Sequence, residues 1–88
     1  MDAPQVSDLL RAGDLAQIRA LLFGLSRPFG DLSQIQCSYD EIARTVRCYL
    51  ALADRSKHPA LAFRLGGVVH GREVILEIPV PESFAPRW

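Results

Sequence analysis

Residues 39–55 read YDEIARTVRCYLALADR, and two periods fit them. With period two, Val46, Cys48, Leu50 and Leu52 share one face, with Arg47, Tyr49, Ala51 and Ala53 opposite, as in a strand covered on one side. With helical spacing, Ile42, Val46, Tyr49, Leu50 and Ala53 share a face, and Ser38-Tyr39-Asp40-Glu41 supplies a capping box at its start. The first reading gives a β-hairpin within an antiparallel sheet. The second gives β-α-β-β with residues 39–55 helical.

The flanking residues favour the hairpin. Upstream, Ile35, Cys37 and Tyr39 alternate with Gln34, Gln36 and Ser38. If Glu41–Arg44 is a four-residue loop, Tyr39 faces Val46, Cys37 faces Cys48 and Ile35 faces Leu50. Downstream, Leu61, Phe63 and Leu65 keep the alternation, as do Val74, Leu76, Ile78 and Val80. A two-residue turn at His70-Gly71 sets Val69 against Arg72, Leu65 against Leu76, Phe63 against Ile78 and Leu61 against Val80, with Arg64 meeting Glu77 on the other face. Leu52, Leu50 and Cys48 then meet Leu61, Phe63 and Leu65. A one-residue slip reverses every face, so agreement across neighbouring strands carries weight.

Residues 3–25 follow a helical rule instead. Asp2 can cap a first helix with Pro4 in its first turn, and Gly13 can end it in a left-handed conformation. Asp14 with Gln17 makes a second capping pattern, ahead of a stripe of Leu15, Ile18, Leu21, Leu22 and Leu25. Gly24, Pro28 and Gly30 mark its end. The fold expected is α+β: one or two N-terminal helices packed on a four-stranded antiparallel β-meander in sequential order. The 88 residues suit one domain, with a helical segment at 3–25, the meander at 33–80 and a Pro-rich C-terminal tail at 81–88. In that tail, Phe84 and Trp88 either pack down on the sheet or stand exposed.

The stretch LGGVVHGREV (65–74) poses the question of a phosphate loop. Such a loop needs glycines opening a helix. Here a strand-like run follows and no GK[ST] element is present, so Gly71 reads as a turn residue and Gly66-Gly67 as a bulge or close backbone approach.

Two cysteines and two histidines make four metal ligands on paper. Cys37 and Cys48 are expected in the core and His58 and His70 in loops at opposite ends of a strand, with no CxxC or HxxxH spacing, so no metal or other cofactor is expected. The cysteines are read as buried thiols, and a hairpin pairing also puts them within reach of a disulfide. No carboxylate pair, activated nucleophile or triad setting stands out, and a non-enzyme is expected.

Ten basic residues balance ten acidic ones, which removes the net basic field that favours nucleic acid or an anionic membrane. No apolar run approaches the roughly 18 residues needed to span a bilayer. The first residues, MDAPQVSDLL, lack the pattern of a signal peptide, so a cytoplasmic protein of bacterial type is expected. The function expected is a small protein-interaction or adaptor module, with a homodimer as one form, using its last strand edge and C-terminal tail through Ile75, Glu77, Phe84 and Trp88. The alternative is a single-stranded nucleic-acid binder using Arg47, Tyr49 and Arg64 on the outer sheet face.

Overall fold

The computed structural model describes residues 4–87, so the Asp2 cap and Trp88 lie outside the described residues. The first helical turn is a 3-10 helix, Val6–Arg11, entered from Gln5, whose N–H donates to the Asp8 carboxylate at 2.9 Å. Gly13 is not left-handed, contrary to expectation. Its N–H is instead taken by the Gln17 side chain at 2.7 Å, while the Asp14 carboxylate accepts from the Gln17 N–H at 2.8 Å. The anticipated capping pair therefore starts helix α1 (Leu15–Ser26), with the side chain of Gln17 reaching one residue further back than a regular capping box does. Leu15, Ile18, Leu22 and Leu25 form its buried stripe. A Cβ at Gly24, inside this helix, would stand 2.9 Å from Pro4 Cγ, so a larger residue there requires one of the two to shift.

The hairpin forms as read. Strands β1 (Leu32–Asp40) and β2 (Thr45–Leu52) pair antiparallel with Tyr39 opposite Val46, Cys37 opposite Cys48 and Ile35 opposite Leu50. Within the stretch that offered a helix cap at Ser38 and Glu41, Asp40 builds the turn instead. The Asp40 carboxylate accepts from the N–H groups of Ile42 and Ala43, both at 3.0 Å, and Arg44 closes the loop at φ 55°.

Downstream the structure corrects the meander. Residues expected as a strand at 61–65 belong to helix α2 (His58–Leu65). Its buried face is His58, Leu61, Ala62 and Leu65, spaced for a helix, while Phe63 is 91% exposed. Pro59 sits in the first turn and Gly66 ends the helix at φ 77°. The next glycine, Gly67, is a close approach, as the sequence suggested: a Cβ there would lie 2.6 Å from the Ile75 carbonyl oxygen.

The chain then makes a short strand β3 (Val68–His70) and a longer β4 (Glu73–Pro79), joined by Gly71-Arg72, one residue later than the expected turn. Consequently Val69 faces Val74 rather than Arg72. The sheet order is β1-β2-β4-β3, so β4 fills the place beside β2 assigned to the misread strand. Val46, Cys48 and Leu50 meet Ile78, Leu76 and Val74 across that pair. Because β2 and β3 are both antiparallel to β4, they run the same way, and α2 is the crossover that joins them.

The fold is thus α+β, with helices on one face of a four-stranded antiparallel sheet. The core lies between the layers and draws Leu9, Ile18, Leu22, Leu61 and Leu65 from the helical side and Val46, Cys48, Leu50, Val74 and Ile78 from the sheet. The proline-rich segment packs down. Phe84 is buried, with its ring 5.3 Å from that of Tyr39. Ala85 donates to the Gly13 carbonyl at 2.8 Å, and the Arg87 carbonyl accepts from Leu15 and Ala16, two N–H groups in the first turn of α1 that have no partner within the helix.

Candidate functional site

Among the described residues the helices leave the second sheet face uncovered, and alternation decides which side chains stand on it. The registers arrange them in rows across the strands. In the first row Gln34 pairs with Ala51 and His70 with Glu73, and Gln36, Tyr49, Ile75 and Val68 form the next. Ser38, Arg47 and Glu77 form a third. The second row puts an aromatic ring and two β-branched side chains side by side on three adjacent strands. Val68 is 61% exposed, and Tyr49 and Ile75 are half-buried by their neighbours.

Arg47 and Glu77 border this row as a cross-strand ion pair, with Nε and Nη2 of Arg47 both donating to Oε1 of Glu77, the former at 3.1 Å. The Tyr49 hydroxyl and the Glu77 carboxylate both favour the charged guanidinium and raise its pKa. Such an exposed pair orients two side chains while contributing little stability. Concave ends flank the row. One is lined by Gln34, Ala51, Arg55, His70, Arg72 and Glu73, and the other by Ser38, Asp40, Thr45, Arg47, Tyr49 and Glu77.

Of the residues singled out for partner contact, Ile75 and Glu77 stand together on this face. Phe84 does not join them, because it is part of the core. The strand that carries Ile75 and Glu77 is also less of an edge than expected. Over Glu73–Ile75 it is covered by β3, and only Leu76–Pro79 lacks a strand on that side among the described residues. Val6, Leu9, Leu10 and Leu65 line a shallow cleft beside that open half, and Leu10 is exposed. The sheet edges are β1, along its full length, and the short β3.

The three residues of the nucleic-acid reading are not brought together. Arg47 and Tyr49 share the outer face, but Arg64 lies on the exposed side of α2, in the opposite layer. The expected Arg64–Glu77 pairing is replaced by Arg47–Glu77, because residue 64 is helical.

His58 is the polar residue that sequence reasoning misplaced. Expected in a loop, it is 2% exposed, and its Nε2 accepts from the Leu52 N–H at 2.9 Å. The bond satisfies the last donor of β2 on the side where β4 no longer reaches. Only its spacing of three, four and seven from Leu61, Ala62 and Leu65 pointed to that place. His70 is exposed at the end of β3, opposite Glu73.

Cys37 and Cys48 are free and face the core. The adjoining Cys48 thiol lowers the pKa of Cys37, and Arg19 acts in the same direction against the effect of burial. Cys48 is pushed strongly up by Cys37 and by its own burial. Among the described residues, no group of three or more His, Cys, Asp or Glu side chains is placed to share a metal ion, and no helix is long and apolar enough to cross a membrane. No protein-family model matches the chain, and no curated protein or solved structure is significantly similar to it.

Proposed function

We propose that this protein is a protein-interaction module whose contact surface is the uncovered outer face of its sheet, centred on Ile75. The observation that carries this reading is the row Tyr49–Ile75–Val68, apolar and aromatic side chains aligned on three strands of a face that no helix among the described residues covers. A polar border surrounds it: Gln36 at one end of the row and the Arg47–Glu77 pair beside it. An apolar centre with a polar rim is the usual anatomy of a protein contact, and Tyr and Arg are favoured there. A chain of this size buries a modest core, so a second copy or another protein seated on this face also adds to stability.

Neighbouring residues of β4 give the test. Leu76 is buried and Ile75 lies on the outer face. Leu76→Lys should unfold the domain by burying an unpaired charge. Ile75→Lys should leave the circular dichroism spectrum unchanged and reduce association, read by sedimentation velocity for self-association and by capture for other proteins. Association undiminished in folded Ile75→Lys would remove the basis for this reading.

A further inference from the structure

The two cysteines stand opposite each other on neighbouring strands and on the same, core-facing side of the sheet. Their pairing type follows from the turn at the far edge. A two-residue turn makes its flanking pair, His70–Glu73, the hydrogen-bonded kind. Alternation then directs the backbone groups of Glu73 and Ile75 toward β3 and those of Leu76 toward β2. Cys48, opposite Leu76, therefore directs its own groups toward β4, and Cys37–Cys48 becomes the closer, non-hydrogen-bonded kind. Such pairs have Cα atoms about 4.5 Å apart, within the span a disulfide bridges.

The pair is also asymmetric. Cys37 lies on the edge strand and keeps 8% exposure, whereas Cys48, between two strands, keeps 0%. The positive charge of Arg19 on α1 favours the thiolate at Cys37. Cys37 is thus the member of the pair nearer the surface, with Cys48 behind it.

We propose that Cys37 and Cys48 form a modification site: a dithiol that a small hydroperoxide such as hydrogen peroxide oxidises to an intramolecular disulfide, with Cys37 attacking and Cys48 resolving. In the first step the Cys37 thiolate takes the terminal peroxide oxygen. The O–O bond breaks, the sulfur becomes a sulfenic acid, and hydroxide leaves and gains a proton to become water. In the second step the Cys48 sulfur attacks the sulfenic sulfur. The S–S bond forms, the S–O bond breaks, and hydroxide leaves as a second water with the Cys48 proton. In sum, two thiols and one hydrogen peroxide give one disulfide and two waters. The bond fixes the edge strand β1 covalently to β2. This inference stands apart from the proposed contact surface, because both sulfurs are on the opposite side of the sheet.

The test treats the reduced, folded chain with hydrogen peroxide and measures intact mass without reductant. The expected result is loss of two hydrogens in the monomer, reversed by a thiol reductant. A mass left unchanged, a gain of oxygen atoms, or disulfide-linked dimers in place of the monomeric product would overturn the proposal. The order of attack is tested separately with a sulfenic-acid trap such as dimedone. Cys48→Ser should accumulate the adduct at Cys37 and Cys37→Ser should give none. Equal labelling of Cys48 in Cys37→Ser would overturn the assigned roles.

Discussion

Replacing His58 should weaken the fold in two separable steps. His58→Leu keeps most of the side-chain volume but removes the acceptor for the Leu52 N–H, which sits in a buried setting at the end of β2. Leaving a buried donor unsatisfied costs about 1–3 kcal/mol. His58→Ala removes the acceptor and also opens a void of roughly 60 Å³, adding on the order of 1–2 kcal/mol at ~24 cal/mol per Å³. The alanine variant should therefore lose about 2–5 kcal/mol in all. For a domain of this size, total stability is on the order of 4–13 kcal/mol, and each kcal/mol lowers Tm by about 4–8 °C. His58→Gln, whose amide oxygen can accept the same bond, should recover part of the loss. Urea denaturation of the four proteins measures these differences at equal m-values. A His58→Leu variant within ~0.5 kcal/mol of the parent would refute the claim that this hydrogen bond stabilises the strand end.

Three further outcomes are expected. Gly67→Ala should destabilise by about 1–3 kcal/mol, because its Cβ would press on the Ile75 carbonyl oxygen, a backbone atom; an unchanged denaturation midpoint would show that the backbone yields there. Phe84→Ala should cost roughly 3 kcal/mol and loosen the 81–87 segment, seen as faster hydrogen exchange at the Leu15 and Ala85 amides; parent-like exchange would argue against the tail being anchored by that ring. The Asp54 carboxyl is held below its ordinary value by the side-chain and then the backbone hydrogen bonds of Ser56. Its contribution to stability is complete above the unfolded-state pKa and is lost as pH falls through the folded-state value, so an NMR titration should place its midpoint below that of Asp54 in the unfolded chain.

The β1–β2 hairpin was legible because two independent signals agreed: alternation within each run and apolar-to-apolar register between them. α2 was not, and the reason is specific. Leu61, Phe63 and Leu65 are two apart, while His58, Leu61, Ala62 and Leu65 are spaced for a helix, and eight residues are too few for period alone to choose. The Pro59 start and the Gly66 stop were the deciding signals. The misread register looked sound because Leu76 and Ile78 prefer any apolar neighbour, and Leu50 and Cys48 satisfied the same pattern. Ile75 and Glu77 were placed correctly on the outer face even so, since period two fixes a strand's faces whichever strand lies beside it. Arg64 was misplaced with its helix, and the role of His58 was hidden because its partner is a backbone N–H, which no side-chain pattern reveals.

The outer sheet face is proposed here as a protein contact surface. The most direct measurement is paired capture from lysate of the source cells, with tagged parent and tagged Ile75→Lys, each under nuclease and high salt, beside sedimentation velocity of both. On this reading the parent retains a protein, or a second copy of itself, in near-equal amount, and folded Ile75→Lys loses it. Equal retention by both proteins, or material released by nuclease, would contradict it.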